Sequence, residues 1–369
     1  MKSNSMGFGT HLVHYDVAPD DPNQPNVTPI YQTATFEQDH VDVGGRFEYS
    51  RSGNPTRKVL EDHIAALESG THGFAFASGM AAITCVCRLL SAGDEILADW
   101  DLYGGAARLF GRVLDRAGVR LNISDALDLD RFRAAITPAT KLVYIESPTN
   151  PLLRVLDLRA VAQLAHERGL LVAVDSSAMT PYLQRPLELG VDIVIHSATK
   201  YLSGHSDVTA GIVVVKDAEL AKRIYFLQNA EGNALAPFEC FLLLRGLKTL
   251  KLRMDAQQKN AIAVAEYLRT QPAVASVGYP GFGALVTARL GSFERAKQFA
   301  EALKLFKIAV SFGSVTSGIS LPATMSHASV PPEQMKTREI PRDLLRISVG
   351  IEDIDDLLAD LAEQLALLG

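Results

Sequence analysis

Three cysteines, Cys85, Cys87 and Cys240, are all that this chain carries. Cys85 and Cys87 stand too close for ordinary metal spacing, and no His/Cys cluster surrounds them. A thiolate metal site and a disulfide framework are therefore excluded, and buried free thiols in a reducing compartment are expected. An excess of positive charge is also missing. The 36 Lys and Arg are outnumbered by 42 Asp and Glu, for a net charge of −6, which argues against nucleic acid or an anionic membrane as partner. No uninterrupted apolar run reaches about 18 residues, so no membrane span is expected. The opening MKSNSMGFGTHLVHYD has no apolar core and is not rich in Arg and Ser, so neither a secretory nor a transit signal is read there. The expected location is the cytoplasm. Repeats and low-complexity stretches are absent as well.

Apolar residues are plentiful, at 47% of a 369-residue chain. That is more than one typical core needs, so two domains sharing an interface are expected. Residues 1–50 read as an irregular arm, broken by Pro19, Pro22, Pro25 and Pro29. The arm nonetheless carries Ile30, Tyr31, Phe36, Phe47 and Tyr49, which suits packing against a neighbouring subunit. Residues 51–245 alternate helix and strand. Helices are predicted over Thr56–Leu67, Met80–Leu90, Gly105–Ala117 and Leu158–Glu167. Strands are predicted over Gly73–Ala77, Glu95–Ala98, Val119–Ile123, Lys141–Glu146, Gly169–Val174, Val191–Ile195 and Gly211–Lys216. Such alternation implies a mostly parallel sheet covered on both faces. One long helix, Leu235–Leu268, leads into residues 246–369, a smaller α+β domain with an antiparallel sheet. Its strands are predicted at Val274–Tyr279, Ala284–Leu290, Ala309–Phe312 and Leu345–Ser348, and its helices at Phe293–Lys304 and Asp353–Leu368.

Lys200 follows the buried strand ending at Ile195, inside His196-Ser197-Ala198-Thr199-Lys200. A lysine at a strand end is by itself an ordinary solvated side chain. Flanked by small hydroxyl residues, its amine suits a Schiff base with pyridoxal phosphate (PLP), with Ser197 and Thr199 available to the phosphate. Asp175 ends the preceding buried strand, where a carboxylate can face a pyridine nitrogen and keep it protonated. Strand ends at the carboxyl edge of a parallel sheet are where open α/β folds place ligands. Ser78-Gly79-Met80 opens a helix after another strand, and Gly79 allows close backbone approach to an anion. Tyr103, followed by Gly104 and Gly105, can lay its ring on a cofactor ring or exchange protons.

These residues stand in YSRSGNPTR (Tyr49–Arg57), ASGMAA (Ala77–Ala82), LYGG (Leu102–Gly105), ESPTNP (Glu146–Pro151), HSATKYLSGHSDV (His196–Val208) and RISVGIED (Arg346–Asp353). In that order they resemble the transsulfuration, or Cys/Met-metabolism, family of PLP enzymes, from about Thr28 to the C-terminus. Four stretches are similar to its plant-type cystathionine β-lyase branch: Thr28–Gln38, Tyr225–Phe241, Lys307–Pro331 and the ending RISVGIEDIDDL. The resemblance implies fold type I, the aspartate aminotransferase-like α/β fold with a seven-stranded type of sheet. It implies that Lys200 holds PLP and moves the α-proton, that Asp175 pairs with the pyridine nitrogen, and that Tyr103 stacks on the ring. Gly79, Met80, Ser197 and Thr199 would bind the phosphate. Tyr49 and Arg51 would reach the phosphate of a neighbouring subunit, so that the active site lies at a dimer interface and two dimers form a homotetramer. Arg346 would fork onto the substrate carboxylate, with Ser311 and Asn150 assisting. No metal is implied, and the substrate would be a small amino-acid thioether.

Four departures from the family pattern stand out. Ser176-Ser177 follows Asp175 where the family commonly has Asn-Thr or Asn-Ser. The segment after Tyr279-Pro280-Gly281 is shortened. Thr316 stands where several γ-acting relatives carry a glutamate, and Gly105 where methionine γ-lyases commonly carry a cysteine. The last two lean toward β-elimination, L-cystathionine to homocysteine, pyruvate and ammonia. The alternatives within the family are cystathionine γ-lyase, γ-synthase and homoserine sulfhydrylase-type chemistry.

Overall fold

A computed structural model describes residues 6–15, 17, 21–326 and 340–368. Pro19, and the end of the Lys307–Pro331 stretch from His327 onward, lie outside the described residues. The arm is not wholly irregular. It opens with helix α1 (Phe8–Val13), whose Leu12 is 1% exposed. Burial of such a leucine contributes about 1.5–3 kcal/mol, enough to hold a six-residue helix that would not form alone.

Past the arm, helix α2 (Pro55–Leu67) starts at an Asn54 cap that accepts from the amides of Thr56 and Arg57. The alternation then runs β1 (His72–Phe76), α3 (Gly79–Cys87), β2 (Glu95–Asp99), α4 (Gly104–Arg108), β3 (Arg120–Ser124), α5 (Leu129–Ala134), β4 (Thr140–Glu146), α6 (Leu158–His166), β5 (Leu171–Asp175), α7 (Thr180–Leu183), β6 (Ile193–Ser197), β7 (Gly211–Val215) and α8 (Ala218–Glu231). The seven strands form one sheet, ordered β1-β7-β6-β5-β4-β2-β3, in which only β7 runs antiparallel. This is the α/β fold that the alternation predicted. Beyond α4 the chain widens into a π-helical turn, Leu109–Leu114, and tightens again at Asp115–Ala117, so the expected helix Gly105–Ala117 is not uniform.

The long helix expected over Leu235–Leu268 is two helices, α9 (Pro237–Leu247) and α10 (Leu250–Arg269). The break lies at Thr249, whose amide and hydroxyl both bond back to the Gly246 carbonyl at 3.2 Å. A Thr that satisfies a carbonyl locally competes with helix continuation. A second sheet follows, made of β8 (Ser276–Gly278), β9 (Leu285–Arg289), β10 (Lys307–Ile308), β11 (Gly318–Ser320) and β12 (Leu344–Ser348), with α11 (Phe293–Ala302) and α12 (Ile354–Ala366). Its order is β10-β11-β12-β9-β8, antiparallel except for the β10–β11 pair. The strand expected over Ala309–Phe312 is absent, because the Val310 and Ser311 carbonyls are taken by Arg346 Nη2, at 3.1 and 3.3 Å, rather than by a strand ladder.

One stripe of α10 ties the two sheets together. Arg253 donates to the carbonyls of Tyr201 (2.7 Å), Leu202 (3.4 Å) and Gly246 (2.8 Å). Gln257 donates to Ser314 O (2.7 Å) and Val349 O (3.2 Å), and Asn260 to Gly350 O (3.2 Å) and Glu352 O (2.8 Å). Spaced at i, i+4 and i+7, the three side chains share one helix face. They hold the loop after β6, the loop before β11 and the end of β12. Arg253→Leu leaves three carbonyls without this donor. It is expected to destabilise the protein by about 3 kcal/mol, read as a lower urea midpoint with an unchanged slope. A midpoint equal to that of the unsubstituted protein would show that the tie carries no stability.

Candidate active site

Four strands end side by side at the carboxyl edge of the large sheet: β2 in Asp99, β4 in Glu146, β5 in Asp175 and β6 in Ser197. Glu146 and Asp175 are directly paired in register. Burial pushes the Asp175 carboxyl upward, an effect opposed by hydrogen bonds from Ser177 and by the charge of His196. Its Oδ1 accepts from the Ser177 amide (3.0 Å) and the Ser177 hydroxyl (2.5 Å), and its Oδ2 from Tyr144 (3.4 Å). The Ser177 oxygen in turn accepts from the Ser197 amide at 2.6 Å, so one hydroxyl joins the ends of β5 and β6. Glu146 is pushed well up by burial and by Asp175, and its Oε1 accepts from the Tyr103 amide at 2.6 Å.

Lys200 lies in the turn after β6, its amide on Ser197 O at 3.1 Å. Its Nζ donates to Ser311 Oγ at 2.7 Å, reaching across to the loop after β10. Burial first, and the Arg346 charge second, lower the amine from 10.5 to about 8, against the pull of Asp175. Arg346, on β12, is 2% exposed. Its Nη1 donates to Asn150 Oδ1 at 2.8 Å, while its Nε is buried with no partner. Burial lowers its guanidinium to about 10. Both cations approach Phe312, its ring centre 5.2 Å from Lys200 Nζ and 5.1 Å from Arg346 Cζ.

The phosphate side is equally close-fitted. A Cβ on Gly79, at the start of α3, would fall 2.8 Å from Ser197 Cβ, so the helix start and Ser197 touch only because residue 79 is glycine. A Cβ on Gly105 would meet Tyr103 Cε1 at 2.3 Å and Met80 Sδ at 2.9 Å, which places the Tyr103 ring over Gly105 and beside Met80. Thr199 is engaged locally: its Oγ1 accepts from Ala210 N at 3.0 Å and lies 3.3 Å from Ala210 O. Tyr49 and Arg51 stand apart from this cluster. Arg51 lies over the Tyr49 ring at 5.2 Å, donates to Asn229 at 3.2 Å and lines a cavity of about 360 Å³ with Arg57 and Gly232.

Ser177, Phe312 and Glu146 escape the sequence reading as site residues. Ser177 was visible only as part of a departure from the family pattern. Glu146 carries the same signal as Asp175, a carboxylate at the end of a buried strand. Phe312 has no sequence signal of its own beyond following Ser311.

The donor set fits PLP. A buried carboxyl raised by desolvation accommodates a protonated pyridine nitrogen, and the start of α3, packed against Ser197, accommodates a phosphate. A depressed amine accommodates the aldehyde, and the partnerless Arg346 Nε leaves a donor for a carboxylate.

Comparison with known proteins agrees. Residues 9–366 match the family described as Cys/Met metabolism PLP-dependent enzyme. A chloroplastic cystathionine β-lyase of Arabidopsis thaliana is 49% identical over 92% of this chain and 77% of its own. A cystathionine γ-lyase of Bacillus subtilis is 45% identical over 96% of this chain and 98% of its own. The crystal structure of cystathionine γ-lyase from Lactobacillus plantarum complexed with L-serine superposes with a TM-score of 0.94, at 44% identity, covering 98% of this chain and 99% of that one. With the motifs, the strand-end geometry and a match along nearly the whole length in agreement, the chain belongs to the Cys/Met metabolism family of PLP-dependent enzymes.

Proposed function

We propose that this PLP-dependent carbon–sulfur lyase cleaves L-cystathionine by α,β-elimination, releasing homocysteine, pyruvate and ammonia. The observation that carries the reading is the pairing of Lys200 and Arg346 about Phe312, with the amine lowered to about 8 and a guanidinium donor left over. A base and a carboxylate receptor on one ring suit an α-amino acid held with its Cα–H facing Lys200. PLP, when bound, supplies an electron sink conjugated to the substrate Cα.

The chain's own residues do the rest. Arg346 holds the α-carboxylate, oriented by Asn150. Lys200 Nζ would hold the cofactor aldehyde and, as a free amine, would take the proton from the substrate Cα. Ser311 Oγ, 2.7 Å from that nitrogen, keeps it aimed. Asp175 pairs with the pyridine nitrogen, and Tyr103 covers the ring and exchanges protons. Gly79, Met80, Ser197 and Thr199 hold the phosphate, with Thr199 turned from Ala210. Tyr49 and Arg51 serve the phosphate of a neighbouring copy.

A second copy covering the arm is supported by the exposed Tyr49, Tyr225, Phe226 and Phe238. Two such dimers make a tetramer by resemblance to the family. Residues 1–50, 51–245 and 246–369 serve as arm, cofactor domain and small domain. Three buried free cysteines support a cytoplasmic setting, and among the described residues no helix is long and apolar enough to cross a membrane.

The choice of β over γ rests on proton placement. A γ-acting enzyme also removes a Cβ proton, and Thr316, bonded to Ser314 Oγ at 3.2 Å, offers no carboxylate for it. The γ-lyase reading draws on relatives of similar identity. L-cystathionine given to the PLP-loaded protein is expected to yield pyruvate with homocysteine. 2-Oxobutyrate with cysteine would make it a γ-lyase, and neither product would direct the test to acylated homoserine with cysteine. Capture of PLP by the apoprotein needs the neutral amine. Its rate is therefore expected to rise with pH and level off above about 8, and a rate still climbing at about 10 would remove the assigned perturbation of Lys200. Arg51→Ala is expected to lose PLP on dialysis about tenfold faster. Unchanged retention would take Arg51 out of the phosphate site.

A further inference from the structure

The end of β2 does more than lead to Tyr103. Asp101, 2% exposed, has its Oδ2 bonded by the Thr149 hydroxyl and, at 3.3 Å, by the Leu152 amide. Thr149, 0% exposed, also accepts from Arg154 N (2.9 Å) through the same hydroxyl, and its own amide donates to Arg154 O (2.9 Å). Arg154 closes the structure: it is paired with Asp99 (3.2 Å) and with Asp125, over the Trp100 ring at 4.5 Å. The loop after β4 is thus bolted to the end of β2 from both sides of Asn150. Asn150 is the residue by which this loop reaches Arg346, whose other hydrogen-bond partners are the carbonyls of Val310 and Ser311 in its own half of the molecule.

We infer that the Asp101–Thr149 bond is the positioning element for substrate carboxylate recognition: it fixes Asn150, and Asn150 sets the rotation of the Arg346 guanidinium. Neither Asp101 nor Thr149 touches the substrate. The inference rests on the reading of Arg346 as the carboxylate receptor. Because Tyr103 lies two residues beyond Asp101, one strand end registers the cofactor ring and the carboxylate receptor against each other. A Thr149→Val variant keeps the shape and loses the bond to Asp101 together with the one the same hydroxyl accepts from Arg154 N. The lost hydrogen bond lets Asn150 drift, so groups recognised by their carboxylate suffer and groups lacking one do not.

The test uses the PLP-loaded protein and two small reagents that attack the cofactor at its reactive carbon. Aminooxyacetate carries a carboxylate; methoxyamine does not. Second-order rates are read from the loss of the cofactor's visible absorbance. Thr149→Val is expected to slow aminooxyacetate about tenfold and to leave methoxyamine within about twofold, with Thr149→Ser restoring the ratio. Thr149→Ala, which adds no bulk, gives the same readout if the valine variant fails to fold. Equal slowing of both reagents, or of neither, overturns the inference. Arg346→Ala is run alongside. If it leaves the ratio unchanged, the carboxylate assignment of Arg346 itself has failed, and the inference falls with it for that separate reason.

Discussion

Everything at this site depends on keeping one amine poorly charged in the field of a permanent cation. Half-buried Lys200 and buried Arg346 lie 5.2 and 5.1 Å from the centre of the same phenylalanine ring, and the arginine charge acts on the lysine. Desolvation and like-charge repulsion both act on the lysine, because a guanidinium cannot give up its proton at neutral pH and an ammonium can. The pairing suits a division of labour by chemistry: the group that stays charged can recognise a carboxylate, and the group that yields can serve as base and nucleophile, as proposed above. The carboxyls beneath, Asp175 and Glu146, are raised by the same burial. A cationic ring nitrogen, if bound there, would favour the ionised Asp175, and the backbone amide of Tyr103 donates to Glu146.

Much of this was legible in the chain. Buried strands in a parallel sheet are continuous apolar runs, so the strands ending near Asp175 and Lys200 could be read with boundaries off by about two residues. The helix-to-helix break at Thr249 was not legible, since Leu235–Leu268 is helical in pattern throughout and only a local hydrogen bond to Gly246 interrupts it. The same holds for residues 309–312. Ala-Val-Ser-Phe has strand character, yet two of its carbonyls serve a distant arginine. In both places a non-local or side-chain bond displaced the backbone ladder, and periodicity carries no trace of such bonds.

The site residues divide in the same way. Lys200, Asp175 and Arg346 announce themselves through motifs because their chemistry is demanding. Ser177, Phe312 and Thr149 look like filler in sequence. Their roles come from where strand ends meet: Ser177 joins two neighbouring strands, and Phe312 enters from the second sheet. No single stretch of sequence contains both partners.

The stripe of Arg253, Gln257 and Asn260 on α10 has a mechanical meaning. The lysine's loop, the loop that follows Phe312 and the end of the arginine's strand are all fastened to one stiff rod. These bonds resist any change in the spacing between the backbone beside Lys200 and the end of the strand that carries Arg346. A clamshell opening that parted these three segments would have to break the rod's bonds, so a hinge here is costly and movement is cheaper in side chains and loops at the rim.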